Sequence, residues 1–329
     1  MRGKSFLITV VVLSQLAFTN CRKEDPETDA GYNYKQEMRN FVIDLSAYAK
    51  KINPYFVIIP QNGQELITNN DETDGSLQTK YIDAIDATGR EDMFYGYDND
   101  DEATPDEEKQ YLVDLCSLFE QQNIEVLATD YCSTHSKMDN SYKLNEQNKF
   151  ISFSANERDL NNIPDYPDKP YNENSDDITQ ISQAKNFLYL INSEDFTSKQ
   201  DFISTVSNTN YDVIIMDLYH NETIYTQSDI DILKTKDNGG KRLVICYMSI
   251  GECEDYRYYW QDNWKVGSPE WIVATNTDWE GNYKVKYWDK EWQNIIFGYD
   301  NSYLYKILSV GFDGVYLDII DGFEYFEED

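Results

Sequence analysis

The sequence predicts an α/β fold of the (β/α)₈ barrel type, and three observations carry that expectation. Short apolar runs recur along the chain, helical stretches can be placed between most of them, and acidic residues follow several of the runs. An open doubly wound sheet is the alternative reading. No glycine-rich phosphate loop follows any run, which weakens the nucleotide-binding version of that alternative. A chain of 329 residues is long enough for one such domain.

The first twenty residues read as an address rather than as fold. Arg2 and Lys4 precede a mostly apolar stretch, Phe6 to Phe18, which is short for a membrane span. It ends at Cys21, followed by Arg22-Lys23-Glu24-Asp25-Pro26. An apolar run ending at a cysteine before a charged tether is similar to a bacterial lipoprotein signal. On that reading residues 1–20 are the signal peptide, Cys21 is lipidated and 21–30 is a tether. The alternative is an ordinary cleaved secretory peptide. Either way the protein is expected to be exported, and lipid-anchored to the cell envelope in the first case.

From Tyr34 to Ile52, Met38, Phe41, Val42, Leu45 and Tyr48 recur at helical spacing until Asn53-Pro54 stops them. Tyr55–Ile59 is a continuous apolar run, as expected for a parallel strand covered on both faces. The segment 81–87 leads to Glu91-Asp92 as a second strand signal. Tyr111 to Gln121 reads as a helix with Leu112, Leu115, Leu118 and Phe119 on one face. Glu125–Ala128 and Lys149–Phe153 read as strands. Residues 156–184 are polar and rich in Pro, Asn and Asp, with a short helix expected near Ile178 to Ala184. Strand signals return at Phe187–Ile191, Asp212–Met216, Arg242–Tyr247 and Gly314–Leu317.

Composition bounds the chemistry. A net charge of −32 argues against nucleic-acid binding, which needs a basic surface. It would attract a cationic substrate, or simply be the solvated surface that keeps an exported protein soluble, the second being the stronger reading. Only two histidines, His135 and His220, are present, which argues against a Ser-His-Asp triad or a His-rich metal centre. Cys116, Cys132, Cys246 and Cys253 match no zinc spacing and read as buried thiols. Nothing in the pattern calls for a metal or an organic cofactor.

Acidic residues collect where the strands end: Glu91 and Asp92, Asp130, Asp217, Glu252, and Asp318 with Asp321. In a barrel all these ends open onto one face. Two carboxylates flanking a glycosidic bond are the equipment of sugar hydrolysis, one as proton donor and one as nucleophile or base. Taken singly, such acids are more often helix caps and loop residues. All six tryptophans lie between Trp260 and Trp292, where flat rings would stack on sugar faces or form a structural cluster.

These residues bring a family into view. Val244 to Arg257 (VICYMSIGECEDYR) resembles the third-strand motif of the polygalactosaminidase-like barrels of glycoside hydrolase family 114 and their prokaryotic relatives. Asp212 to Asp217 resembles their second strand. Tyr287 to Trp292 (YWDKEW) and Gly311 to Asp321 (GFDGVYLDIID) resemble the approach to the fourth strand and the strand itself. Ile58 to Gly63 is similar to the fifth strand, Ala84 to Tyr95 (AIDATGREDMFY) to the sixth, Val126 to Tyr131 to the seventh and Phe150 to Leu160 to the eighth. Here that second block comes first. The resemblance thus implies a circularly permuted TIM barrel, cut in the loop after the fourth strand. Residues 31–155 would supply strands five to eight, 156–184 the joint and 185–329 strands one to four of one domain. A dimer formed by strand exchange is the alternative to permutation.

The resemblance implies endo-hydrolysis of α-1,4-linked galactosamine or N-acetylgalactosamine chains. Asp318 would be the nucleophile and Glu91 the acid/base, with Glu252 or Glu254 as alternative acids. Asn62, Asp130, Asp217, Tyr247, Glu252, Glu254, Asp255, Trp288 and Asp321 would bind substrate. The expected partner is a polysaccharide or oligosaccharide, with a monomer touching membrane only through its lipid. A non-catalytic carbohydrate-binding barrel and a structural surface lipoprotein are the competing readings.

Overall fold

The computed structural model describes residues 32–327. The signal peptide, the tether with Cys21 and the last residue, Asp329, lie outside the described residues. Eight strands run parallel: β1 (Val57–Pro60), β2 (Ala87–Glu91), β3 (Glu125–Tyr131), β4 (Ile151–Ala155), β5 (Phe187–Tyr189), β6 (Val213–Met216), β7 (Leu243–Ser249) and β8 (Gly314–Asp318). The fold is therefore mixed α/β with parallel sheets.

Five strands pair in the order β1-β8-β7-β6-β5, and three in the order β2-β3-β4. The first strand of the chain thus lies beside the last, with Ile59 opposite Tyr316. A parallel bridge between Gln61 and Gly89 joins β1 to β2, and the Asn62 amide donates to the Gly89 carbonyl at 2.9 Å. On the other side β4 faces β5, where the Phe153 and Phe187 rings pack 5.7 Å apart. Just beyond them the Leu160 carbonyl accepts from the Ile191 and Asn192 amides.

β1, β4, β5, β6 and β7 are buried along their whole length, as β-branched and aromatic runs covered on both faces should be. β2 differs. The segment 81–87 is not the strand: α2 (Thr79–Ile82) turns there, burying Tyr81 and Ile82, and the strand begins at Ala87. Its sequence, ATGRE, has little apolar content because space rather than hydrophobicity sets it. A Cβ on Gly89 would stand 2.0 Å from the Tyr316 hydroxyl, so only glycine admits that ring.

The helices follow the strands. α1 (Tyr34–Ile52) begins where the Asn33 side chain accepts from the Gln36 amide, and buries Met38, Phe41, Val42, Leu45 and Ala49. α3 (Asp106–Gln121) starts earlier than its apolar face suggests, because Pro105 sets the cap and three acids in the first turn complement the helix dipole. α4 (His135–Asn148) ends at Lys149 in the left-handed region. Shorter helices follow: α5 (Lys199–Ser207), α6 (Gln227–Leu233), α7 (Lys290–Ile296), α8 (Tyr303–Ser309) and α9 (Glu324–Glu327). After β7 the chain adds a small antiparallel sheet, in which Glu252–Glu254 pairs with Asn282–Val285 and that strand with Ile272–Thr275.

Segment 156–184 contains only a 3₁₀ turn, Ile181–Gln183, within the stretch expected to be a short helix. It is nevertheless firmly attached. Tyr166 stacks on His135 and Tyr171 on Tyr142. Asn174 donates to Asp212 at 2.9 Å and accepts from Lys236, whose ammonium makes a fully buried ion pair with Asp212 at 2.8 Å. The described ends also meet: Tyr34 packs on Phe326, and Lys35 pairs with Glu327 at 3.1 Å.

Candidate active site

Three neighbouring strands end in left-handed turns, and two of those turns follow the leading carboxylates. Asn62 and Gly63 after β1, Asp92 after β2 and Ile319 after β8 all have positive φ. For a β-branched isoleucine this conformation is strained, at a cost on the order of 1–3 kcal/mol. It aims the Ile319 amide back at Asp318 Oδ1, 2.9 Å away. Gly251 permits this approach, since a Cβ there would lie 2.1 Å from the Ile319 carbonyl oxygen.

Asp318 accepts a second bond on Oδ2 from the Tyr247 hydroxyl at 2.5 Å. Glu91 accepts from the Tyr131 hydroxyl on Oε1 and more loosely, at 3.4 Å, from Asn62 on Oε2, while the Glu91 amide donates back to Asn62 Oδ1. Each carboxylate thus has its own phenol. Both remain partly open to solvent. Among the described residues neither forms an ion pair with a cation. Beneath them Tyr189 donates to Gln61 at 2.9 Å and packs against Tyr316, forming an aromatic floor.

The two groups are electrostatically linked. With Glu91 ionised, Asp318 is pushed up to about 8, first by burial and then by the Glu91 charge. Burial also raises Glu91, which the Tyr131 hydrogen bond opposes. Two carboxylates so placed do not ionise independently, and protonating one relieves the other. Asp321, in the turn after β8, is pushed up to about 7 by burial and Glu324.

The other acids are occupied differently. Asp217, after β6, binds Arg257 at 2.6 Å and caps the Tyr219 amide. Arg257 also forks onto Glu254 at 2.7 and 3.1 Å, and Tyr256 adds a third donor to that carboxylate. Glu252 is buried between Asn276 and Lys284, on the small antiparallel sheet after β7. Asp255 is exposed beside Tyr283. Glu252 and Glu254 are therefore held by cations, whereas Glu91 is held by neutral donors.

Two further expected ligands lie elsewhere. Asp130 is fully buried and accepts from the Phe94 and Tyr95 amides, Ser141 and Asn145. It anchors the loop after Glu91 to α4 and faces away from Glu91, because successive strand residues face opposite sides. Trp288 packs against Tyr34, Tyr287 and Phe326 where the chain's described ends meet. Trp260, Trp264, Trp271 and Trp292 form one linked ring cluster, whereas Trp279 is exposed at the hairpin turn.

Arg257, Tyr131 and Arg158 bind these strand-end acids and were not singled out from sequence. A lone cation in the acidic stretch from Glu252 to Asp255 was the available signal for Arg257. The four described cysteines are free and buried. No group of three or more His, Cys, Asp or Glu side chains among the described residues could hold a metal ion.

Residues 168–329 match the model of glycoside-hydrolase family GH114. The GH114 match takes in Asp217, Tyr247, Arg257 and Asp318 but leaves Glu91 outside. The chain is also 40% identical over 158 residues to an uncharacterized protein of Methanocaldococcus jannaschii, covering 47% of this chain and 43% of that one. An uncharacterized protein of Thermotoga maritima is 35% identical over 124 residues, covering 38% and 37%. One from Deinococcus radiodurans is 46% identical over 83 residues, covering 25% and 26%. The chain spans less than half the length of these curated relatives.

Proposed function

We propose that this chain is an exported glycoside hydrolase that cuts an α-linked aminosugar polysaccharide with two carboxylates. The observation that carries the reading is the contrast within the acidic cluster. Asp217, Glu252 and Glu254 are neutralised by Arg257 and Lys284, whereas Asp318 and Glu91 are held only by neutral donors and remain partly open to solvent. Asp318, with Tyr247 and the Ile319 amide supporting its anion, acts as nucleophile. Glu91 delivers a proton to the leaving oxygen and then takes one from water.

The fold proposed for this chemistry is a closed (β/α)₈ barrel, permuted so that its chain is cut after the fourth strand of the family order. The pairing of β1 with β8 and the packing of β4 beside β5 support closure. The meeting of Lys35 with Glu327 supports the cut. A GH114 match confined to residues 168–329 supports it too, because a linear comparison can follow a rotated sequence on only one side of its cut. Segment 156–184 would be the joint, and Cys21 the lipid attachment point of an envelope-anchored protein.

For the substrate, the −32 charge favours a polycation, which suits α-1,4-linked galactosamine chains with free amines alongside N-acetylated ones. Trp279 is the tryptophan left exposed to stack on a sugar ring. The test is reducing-end release from α-linked galactosamine and N-acetylgalactosamine polymers by soluble protein lacking residues 1–21, beside Asp318→Asn and Glu91→Gln. Release by the parent that falls by several orders of magnitude in both variants is expected. No release, with binding retained, would move the assignment to a carbohydrate-binding barrel.

A further inference from the structure

We propose that Arg158 is a positioning residue for Glu91, acting through the ring of Tyr131 and the carboxylate of Asp92. The inference rests on the reading of Glu91 as the acid/base. Its geometry is a closed circuit. Tyr131, the last residue of β3, donates its hydroxyl to Glu91. The Arg158 guanidinium lies over the face of that ring, 3.9 Å from its centroid. The same guanidinium binds Asp92 at 2.9 and 3.4 Å, and Asp92 is the next residue after Glu91. Glu91 is therefore held at its carboxyl by the phenol and at its backbone by Asp92, with one cation joining the two restraints.

Further contacts fix the cation itself. Arg158 donates to the Gly96 carbonyl at 2.8 Å and to Asp100 at 2.7 Å. Asp92 has φ +57°, its amide bonds the Thr129 carbonyl, and its own carbonyl accepts from Thr104. A planar guanidinium can stack on a ring and fork onto a carboxylate at once, which an ammonium cannot. Placed over the phenol, the positive charge draws electron density from the ring and strengthens its O–H as a donor, favouring the ionised form of the carboxylate it meets.

Other groups act on Glu91 as well. Arg90 and Arg158 favour its charge, and Asp92, Asp318 and Asp321 oppose it. Of the phenols that feel it, Tyr131 is hydrogen-bonded to it, whereas Tyr189 and Tyr316 meet it only through their fields. Arg158 is thus the cation that touches both a hydrogen-bond partner of Glu91 and its chain neighbour. It lies outside residues 168–329, so the family match says nothing of it.

The experiment uses the full chain, with Arg158→Met, Arg158→Lys and Tyr131→Phe. Carbon-13 NMR follows the Glu91 carboxyl, assigned by its loss in Glu91→Gln, through a pH titration. In parallel, kcat/KM is measured against pH on the polymer that the parent cleaves. In Arg158→Met and Tyr131→Phe the Glu91 titration and the alkaline limb of the rate profile move to higher pH. kcat falls on the order of 10-fold as the carboxyl loses its orientation. Arg158→Lys, which keeps the charge, moves the titration the same way by less, and it decides the matter if Arg158→Met does not fold. A Glu91 titration unmoved in folded Arg158→Lys and Tyr131→Phe overturns the proposal. Absence of cleavage by the parent would sink the acid/base reading, while the titration would still decide whether Arg158 holds Glu91.

Discussion

Replacing Asp318 by asparagine should make the protein more stable at neutral and alkaline pH, whatever its effect on turnover. Burial and the Glu91 charge push Asp318 from 3.8 up to about 8, so the folded chain holds a proton that the unfolded chain has released. Stability from this group is intact below about pH 4 and is lost as pH rises through the folded value near 8. At ~1.4 kcal/mol per unit, the ceiling on that loss is about 5–6 kcal/mol. Protonation of Glu91 would reduce it by relieving the repulsion, and the asparagine amide group still has to find an acceptor. A gain of about 2–4 kcal/mol near pH 8 is therefore expected. In a chain this long that corresponds to roughly 4–8 °C in Tm. Thermal melts of parent and variant at several pH values from about 4.5 to 8 test it. The gap should open steadily with pH. A gap independent of pH, or an asparagine variant less stable near pH 8, would show that Asp318 is not a strained buried acid and would remove its reading as a nucleophile held at a cost to folding.

Lys236→Met should cost about 3–5 kcal/mol in denaturant unfolding, because it strands Asp212 and the Asn174 carbonyl in a fully buried site. A cost under about 1 kcal/mol would mean that segment 156–184 is a loose tether rather than part of the core. Trp279→Ala should leave Tm and the cleavage of short oligosaccharides unchanged while raising KM for long polymer several-fold, as loss of an exposed stacking ring would. Equal KM for polymer in both proteins would remove the hairpin from the binding surface.

How far the sequence could be read follows from what each residue depends on. β6 was legible because Val213–Met216 is an apolar run whose burial any parallel sheet would demand. β2 was placed several residues early, since its small residues answer to the Tyr316 ring on another strand. Asp130 and Tyr131 show the same limit at the site. Glu91 pairs in register with Thr129, so Tyr131, two residues on, shares its face, and Asp130 must turn the other way toward α4. The alternation is visible in the sequence, but the register that gives it meaning is not.

Partner chemistry was the deeper gap. Apart from the family resemblance, nothing in the sequence tells the partners of Asp217, Glu254, Glu91 and Asp318 apart. The fold separates them by bringing Arg257 across to the first two and phenols to the second two. An acid paired with a buried guanidinium serves as that cation's counter-ion, since leaving the guanidinium uncompensated would cost several kcal/mol. An acid held by a phenol keeps a donor in either protonation state and can exchange its proton when a substrate arrives. On the proposed reading, that difference lets the site carry several carboxylates and still restrict proton transfer to one pair. It also explains why a cation near Glu91 acts on it through the face of Tyr131 rather than by direct contact.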